Sequence, residues 1–122
     1  MTFSQFRKKY LTPFGKTDHI WTKDGYIVWR LGTGDNIELL HIRSFTKGKG
    51  IGRQLVISML KELQDSPPYY SVYGFTRVEN EGAVKFYKSL GFHVDILDGP
   101  YKEGQAVLFS QSYKNLVKNL CQ

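Results

Sequence analysis

Apolar and polar positions along the 122-residue chain change period several times, and each change marks an expected element. Phe3, Phe6, Tyr10 and Leu11 recur at helical spacing over residues 3 to 11, and Pro13 and Gly15 end that short amphipathic helix. Asp18 to Thr22 and Tyr26 to Leu31 read as two strands around Lys23-Asp24-Gly25, because Asp-Gly favours a tight hairpin turn. Gly32 to Asp35 turns the chain into a third strand, Asn36 to Phe45, which mixes apolar and polar residues as a half-buried strand does. After a glycine-rich loop, Ile51, Leu55, Val56, Met59, Leu60 and Leu63 define one apolar helical face.

Pro67-Pro68 stops that helix, and Tyr69 to Val78 is the next strand. Asn80 has the side chain to cap the helix that follows, whose apolar face is Ala83, Phe86, Tyr87 and Leu90 and whose end is Gly91. Phe92 to Leu97 and Gln105 to Tyr113 form two last strands around Gly99, Pro100 and Gly104, and Tyr113 to Leu120 is a short tail helix. The order is helix, three antiparallel strands, helix, strand, helix, two strands. Helices and strands therefore share one α+β layered domain over residues 1–122, with no repeat or linker to divide it.

Composition narrows the setting. A hydrophobic content of 41% supports a single core, and no apolar run is long enough for a membrane span or a secretory leader after Met1. Cys121 is the only cysteine, so no intrachain disulfide forms and a reducing, cytoplasmic setting is expected. His19, His41 and His93 lack metal-ligand spacing. The net charge of +6 lies in the N-terminal part: up to Arg53 there are ten Lys/Arg against four Asp/Glu, and beyond it seven against seven. That excess suits an anionic ligand or is ordinary solubilising charge.

The loop concentrates the charge. Thr46-Lys47-Gly48-Lys49-Gly50-Ile51-Gly52-Arg53 puts three glycines and three cations into eight positions, just before a helix. Glycines let backbone N–H groups approach a ligand without a Cβ in the way, and the helix dipole aims positive potential at the same spot. The alternative is a solvated turn. The P-loop pattern is absent, and the dinucleotide fingerprint fails because Arg53 stands where its last glycine is required.

Lys47-Gly48-Lys49-Gly50-Ile51-Gly52 resembles the coenzyme A pyrophosphate loop of the GNAT N-acetyltransferases, Q/R-x-x-G-x-G/A, with Lys47 in place of Gln or Arg. Asn80-Glu81-Gly82-Ala83-Val84-Lys85-Phe86-Tyr87-Lys88-Ser89-Leu90-Gly91-Phe92 matches that family's second signature, N-x-x-A-x-x-F-Y-x-x-x-G-F, at every fixed position. The resemblance covers roughly residues 36 to 110. It implies a GNAT-like layered fold with a central, mostly antiparallel mixed sheet flanked by helices. It also implies direct acetyl transfer from acetyl-CoA, without a metal, to a primary amine on a small molecule or a protein. A GNAT-like module that only binds CoA or an anionic partner is the alternative; nucleic acid and membrane are not expected partners. The relatives commonly carry a further strand and two helices before the loop, so the acceptor stays open among a protein N-terminus, a lysine, a polyamine and a drug amine.

The same resemblance assigns residues. Lys47, Gly48, Lys49, Gly50, Ile51, Gly52 and Arg53 would hold the pyrophosphate, and backbone groups of Ile42, Arg43 and Ser44 would align the pantetheine arm like an added strand. Asn80 would hydrogen-bond that arm, or simply cap its helix, and Phe86 would pack beside the cofactor. Tyr87 takes the general-acid position at the CoA sulfur, or is a core tyrosine. A base is needed, since removing the proton of a lysine-like amine at pH 7 costs roughly 4.6 kcal/mol. Glu38 is the first candidate, or a solvated strand residue. His41 has the better intrinsic pKa, but strict alternation turns it to the opposite face from Glu38 unless a bulge intervenes. Trp21, Tyr26 and Trp29 in the first hairpin are expected either to present an exposed patch that a second copy covers, making a homodimer, or to pack in the chain's own core.

Overall fold

The alternating segments become strands of one sheet. A computed structural model of the chain describes residues 2–64, 69–97 and 105–121. It contains six strands, β1 (Asp18–Trp21), β2 (Gly25–Leu31), β3 (Asn36–Ser44), β4 (Ser71–Arg77), β5 (His93–Leu97) and β6 (Ala106–Ser112). Its helices are α1 (Phe3–Phe6), α2 (Ile51–Leu63), α3 (Glu81–Ser89) and α4 (Tyr113–Leu120). The strand order is β1-β2-β3-β4-β6-β5, and only β3 and β4 run parallel. Pro67-Pro68 and the loop residues Gly99, Pro100 and Gly104 lie outside the described residues.

The first helix is shorter than its pattern implies. Thr2 and Gln5 form a capping box, but regular α-helix ends at Phe6, giving way to a π-helical turn over Arg7–Leu11 and a 3-10 turn over Thr12–Phe14. The departure brings Phe6 and Leu11 onto the sheet together. Turns with i→i+5 bonds survive where packing rewards the changed side-chain phase, as it does here.

Two apolar clusters cover the two sheet faces. The larger joins Ile27, Trp29, Ile37 and Leu39 to Leu55, Val56, Met59 and Leu60 of α2, to Tyr87 of α3 and to Leu116 of α4. The smaller lies on the other face, where Phe6 and Leu11 meet Tyr26 and Val28, with Phe14, Trp21 and Leu40 at its margin. Trp29 and Tyr26 are thus buried inside the chain, and Trp21 stacks on Tyr26 with ring centres 4.6 Å apart. Two of the three hairpin aromatics therefore pack in the chain's own core, while Trp21 stays partly exposed beside the exposed rings of Tyr10 and Phe45.

One irregularity sets the direction of the central strand's side chains. Val28 pairs with His41 but Trp29 pairs with Leu39, so Leu40 is an extra residue in β3. Such a bulge resets the alternation. Ile37, Leu39 and Ile42 face the larger cluster, whereas Glu38, His41 and Arg43 stand opposite Arg30, Val28 and Tyr26 on the other face. Glu38 and His41 therefore share a face, contrary to strict alternation.

Candidate functional site

The parallel pairing of β3 with β4 is brief. It joins Asn36, Ile37 and Glu38 to Ser71, Val72 and Tyr73, and beyond those residues the strands separate. The gap opens a cleft of about 770 Å³, within the range of small-molecule sites. One wall is β3 from Leu40 to Ser44, whose β4-facing backbone edge is left unpaired among the described residues. The other is Phe75 and Thr76 of β4 with Asn80 and the Ala83–Leu90 face of α3.

The mouth is the glycine loop. Gly48 and Gly50 have φ of 79° and 67°, left-handed conformations that a side chain would strain. Gly50 is the N-cap of α2 and supplies no side-chain acceptor, so the first N–H groups of the helix stay free for a ligand. A Cβ on Gly50 would meet no atom within 4 Å, so the left-handed backbone, not crowding by the chain, is what calls for glycine there. Gly52 has a different reason: a Cβ there would come 2.9 Å from the Phe86 ring, so glycine lets α2 and α3 approach. Lys47 and Arg53 flank the opening, while Lys49, though in the same loop, is not part of the cleft wall.

Tyr87 is a buried residue of the cleft wall. Its ring stacks on Phe109 at 3.6 Å and meets Phe92 edge-on at 5.7 Å, which fixes its direction. Burial raises its phenol pKa above the ordinary 10, so the hydroxyl stays protonated at neutral pH. The hydroxyl has access to the cleft, since Tyr87 lines it and no buried polar side-chain atom is unpartnered among the described residues. Asn80 caps α3 through its Oδ1, which accepts from the Ala83 N–H at 3.2 Å, and it also lines the cleft.

Glu38 and His41 have different surroundings. The Glu38 carboxylate accepts from Arg30 Nε at 2.8 Å and lies 2.7 Å from Arg30 Nη2, and Arg30 Nη1 donates to the Phe14 carbonyl at 3.2 Å. That arrangement ties the N-terminal segment to β2 and β3, and Glu38 is outside the cleft wall. His41 lines the cleft and stands edge-on to Phe6, with ring centres 5.7 Å apart. Burial lowers its pKa from 6.5, leaving a neutral imidazole at pH 7.

A family model described as "Acetyltransferase (GNAT) family" matches residues 14–92. The chain belongs to the GNAT acetyltransferase family. Comparison with curated protein sequences found no match. Among solved structures, this GNAT chain is similar to Ard1 from Thermoplasma volcanium, with TM-score 0.61 and 22% identity over 72% of this chain and 62% of that one. It is similar to the Bacillus subtilis acetyltransferase solved in complex with CoA, at 0.64 and 17%, over 88% of this chain and 82% of that one. It also resembles the ribosomal-protein-S18-alanine N-acetyltransferase from Escherichia coli, at 0.63 and 17%, over 93% of this chain and 77% of that one. At such identities the likeness is one of fold. The chain spans less than two thirds of the length of Ard1.

The GNAT fold brings together residues that the sequence keeps apart. Ile42, Arg43, Ser44, Lys47, Gly48, Gly50, Ile51, Gly52, Arg53, Asn80, Phe86 and Tyr87 all line one cleft. Phe75 and Thr76 of β4 join them, and sequence reasoning missed both. No motif marks them; they are placed by the separation of β4 from β3. A second cavity of about 340 Å³, also unforeseen, opens on the Glu38 face and shares His41 and Arg43 with the cleft. Among the described residues no cluster of His, Cys, Asp or Glu has the makings of a metal site, and no helix is long and apolar enough to cross a membrane.

Proposed function

We propose that this GNAT chain transfers an acetyl group from acetyl-CoA directly to a primary amine. One observation carries the reading: the glycine loop with its uncapped helix, the unpaired edge of β3 and the Tyr87 hydroxyl converge on a single cleft. The cleft fits coenzyme A in chemistry as well as size, with backbone N–H donors and Lys47 and Arg53 for phosphates and a free strand edge for an amide-bearing arm. When bound, the coenzyme supplies an acetyl thioester.

The chain's own residues do the rest. Backbone groups of Ile42 to Ser44 orient the arm, and Asn80 offers it a side-chain amide. Tyr87 donates a hydrogen bond where thiolate charge develops; with its pKa raised it stabilises that charge rather than surrendering the proton completely. His41, neutral and at the wall, takes the proton from the incoming amine. Glu38 is the other candidate base, acting through solvent from its ion pair with Arg30.

Thiol release from acetyl-CoA, followed across a panel of amines, tests the reading. Amine-dependent release that falls in Tyr87→Phe supports it. Tight CoA binding with no release for any amine would leave a binding module and overturn the enzymatic reading.

A further inference from the structure

The second cavity lies on the sheet face opposite the main core, where the N-terminal segment, β1, β2 and the end of β3 meet. Five aromatic rings form it. Trp21 and Tyr26 stack at 4.6 Å, Phe45 meets Tyr26 at 5.9 Å, and Phe6 lies 4.8 Å from Tyr26 and 5.0 Å from Tyr10. His41 and Arg43, the two residues shared with the acetyl-CoA cleft, complete the lining. No carboxylate contributes to it among the described residues.

Those features select among amines. Aromatic faces alone would also attract a polyamine's ammonium groups, but here those charges would meet the Arg43 guanidinium with no carboxylate among the described lining residues to offset it. A flat aromatic body would gain ring contacts from the exposed Tyr10 and Phe45 and the partly exposed Trp21, with Phe6 and Tyr26 buried behind them. Arg43 is exposed, sits over the Phe45 ring at 5.9 Å and lies beside the Tyr26 hydroxyl, with no carboxylate partner among the described residues. A guanidinium so placed suits a carboxylate on the ligand, which it can bind with two parallel hydrogen bonds. Positive charge nearby also favours the neutral, nucleophilic form of the ligand's amine.

We infer that the acceptor is an aromatic amine carrying a carboxylate, with aromatic α-amino acids as the simplest members: the ring enters the aromatic cavity, the carboxylate meets Arg43, and the amine reaches the cleft beside His41. This inference rests on the acetyltransferase reading for its chemistry, but the cavity's ligand preference can be measured without turnover. In the step itself, the amine nitrogen bonds the acetyl carbon as the carbon–sulfur bond breaks. The amine proton leaves to the base, and the sulfur departs as thiolate.

The test has a binding arm and a turnover arm, run on the intact chain. Trp21 fluorescence reports binding of L-phenylalanine, L-phenylalaninamide and spermidine in the presence of CoA; Trp29, buried in the opposite cluster, gives a constant background. At least tenfold tighter binding of phenylalanine than of either other probe is expected. Arg43→Gln should abolish the preference over the amide, and Phe45→Ala should weaken phenylalanine and its amide alike. Turnover should follow the same order, and a Phe-led tripeptide should be the poorer acceptor. Equal or better binding of the amide or spermidine, or a preference unchanged in Arg43→Gln, overturns the inference while leaving acetyl transfer intact. Better turnover of the tripeptide overturns it in favour of a protein N-terminus. Selective phenylalanine binding without turnover would instead sustain the cavity assignment and count against the enzymatic reading.

Discussion

The proposed chemistry rests on three side chains, and their surroundings fix what each should do when changed. Tyr87→Phe removes a hydroxyl with no hydrogen-bond partner among the described residues and keeps the ring that stacks on Phe109. Folding and acetyl-CoA affinity should therefore survive while turnover drops, by up to roughly 100-fold, as judged by melting temperature, calorimetry and thiol release. Glu38 and His41 are told apart by opposite effects. Glu38→Gln weakens the partly buried ion pair with Arg30 and should cost about 1–2 kcal/mol of stability in a urea titration, with a smaller effect on rate. His41→Gln should lose most of the rate and the acidic limb of the pH profile, which a base with a pKa below 6.5 places on the acid side of neutrality. A rate collapse confined to the Glu38 variant would assign the base to Glu38.

At the scale of elements, the glycine loop and the bulge in β3 matter most. Two glycines of the loop should fail in distinguishable ways. Gly50→Val forces a side chain into a left-handed conformation in a loop that lines the cleft, so acetyl-CoA affinity should fall sharply in a calorimetric titration while the core remains packed. Gly52→Ala presses on the Phe86 ring, so it should lower the melting temperature as well as affinity. Asn80→Ala should cost about 1 kcal/mol from the lost α3 cap, and any larger loss of CoA affinity would measure its second role. The bulge at Leu40 has no comparable sequence mark. Leu39, Leu40, His41 and Ile42 read as an ordinary strand, and only pairing with β2 reveals which residue is extra.

For the whole molecule, pH links the site to stability. Both His19 and His41 are held below 6.5, chiefly by burial. As pH falls through 6.5 the unfolded chain takes up protons that the native rings resist, so stability should decline from about pH 6.5 downward and be flat above it. Thermal melts at stepped pH should show this, with the acid slope reduced in His41→Gln. The chain's own order of residues determined a good deal. Glycines that must turn and Asn80 that must cap act on their neighbours, so the loop and both signatures were legible, and so was the helical face of Leu55, Val56, Met59, Leu60 and Leu63, all buried. Strand positions held to within a residue or two for the same reason, since alternation is local. Tertiary structure decided what depends on register and separation. The bulge put Glu38 and His41 on one face, the early parting of β3 from β4 admitted Phe75 and Thr76 to the cleft, and packing against Phe6 and Leu11 drew Tyr26 and Trp21 inward. Aromatics from residues 6, 10, 21, 26 and 45 form one cavity because the sheet brings four separate segments together, a proximity that no local pattern encodes.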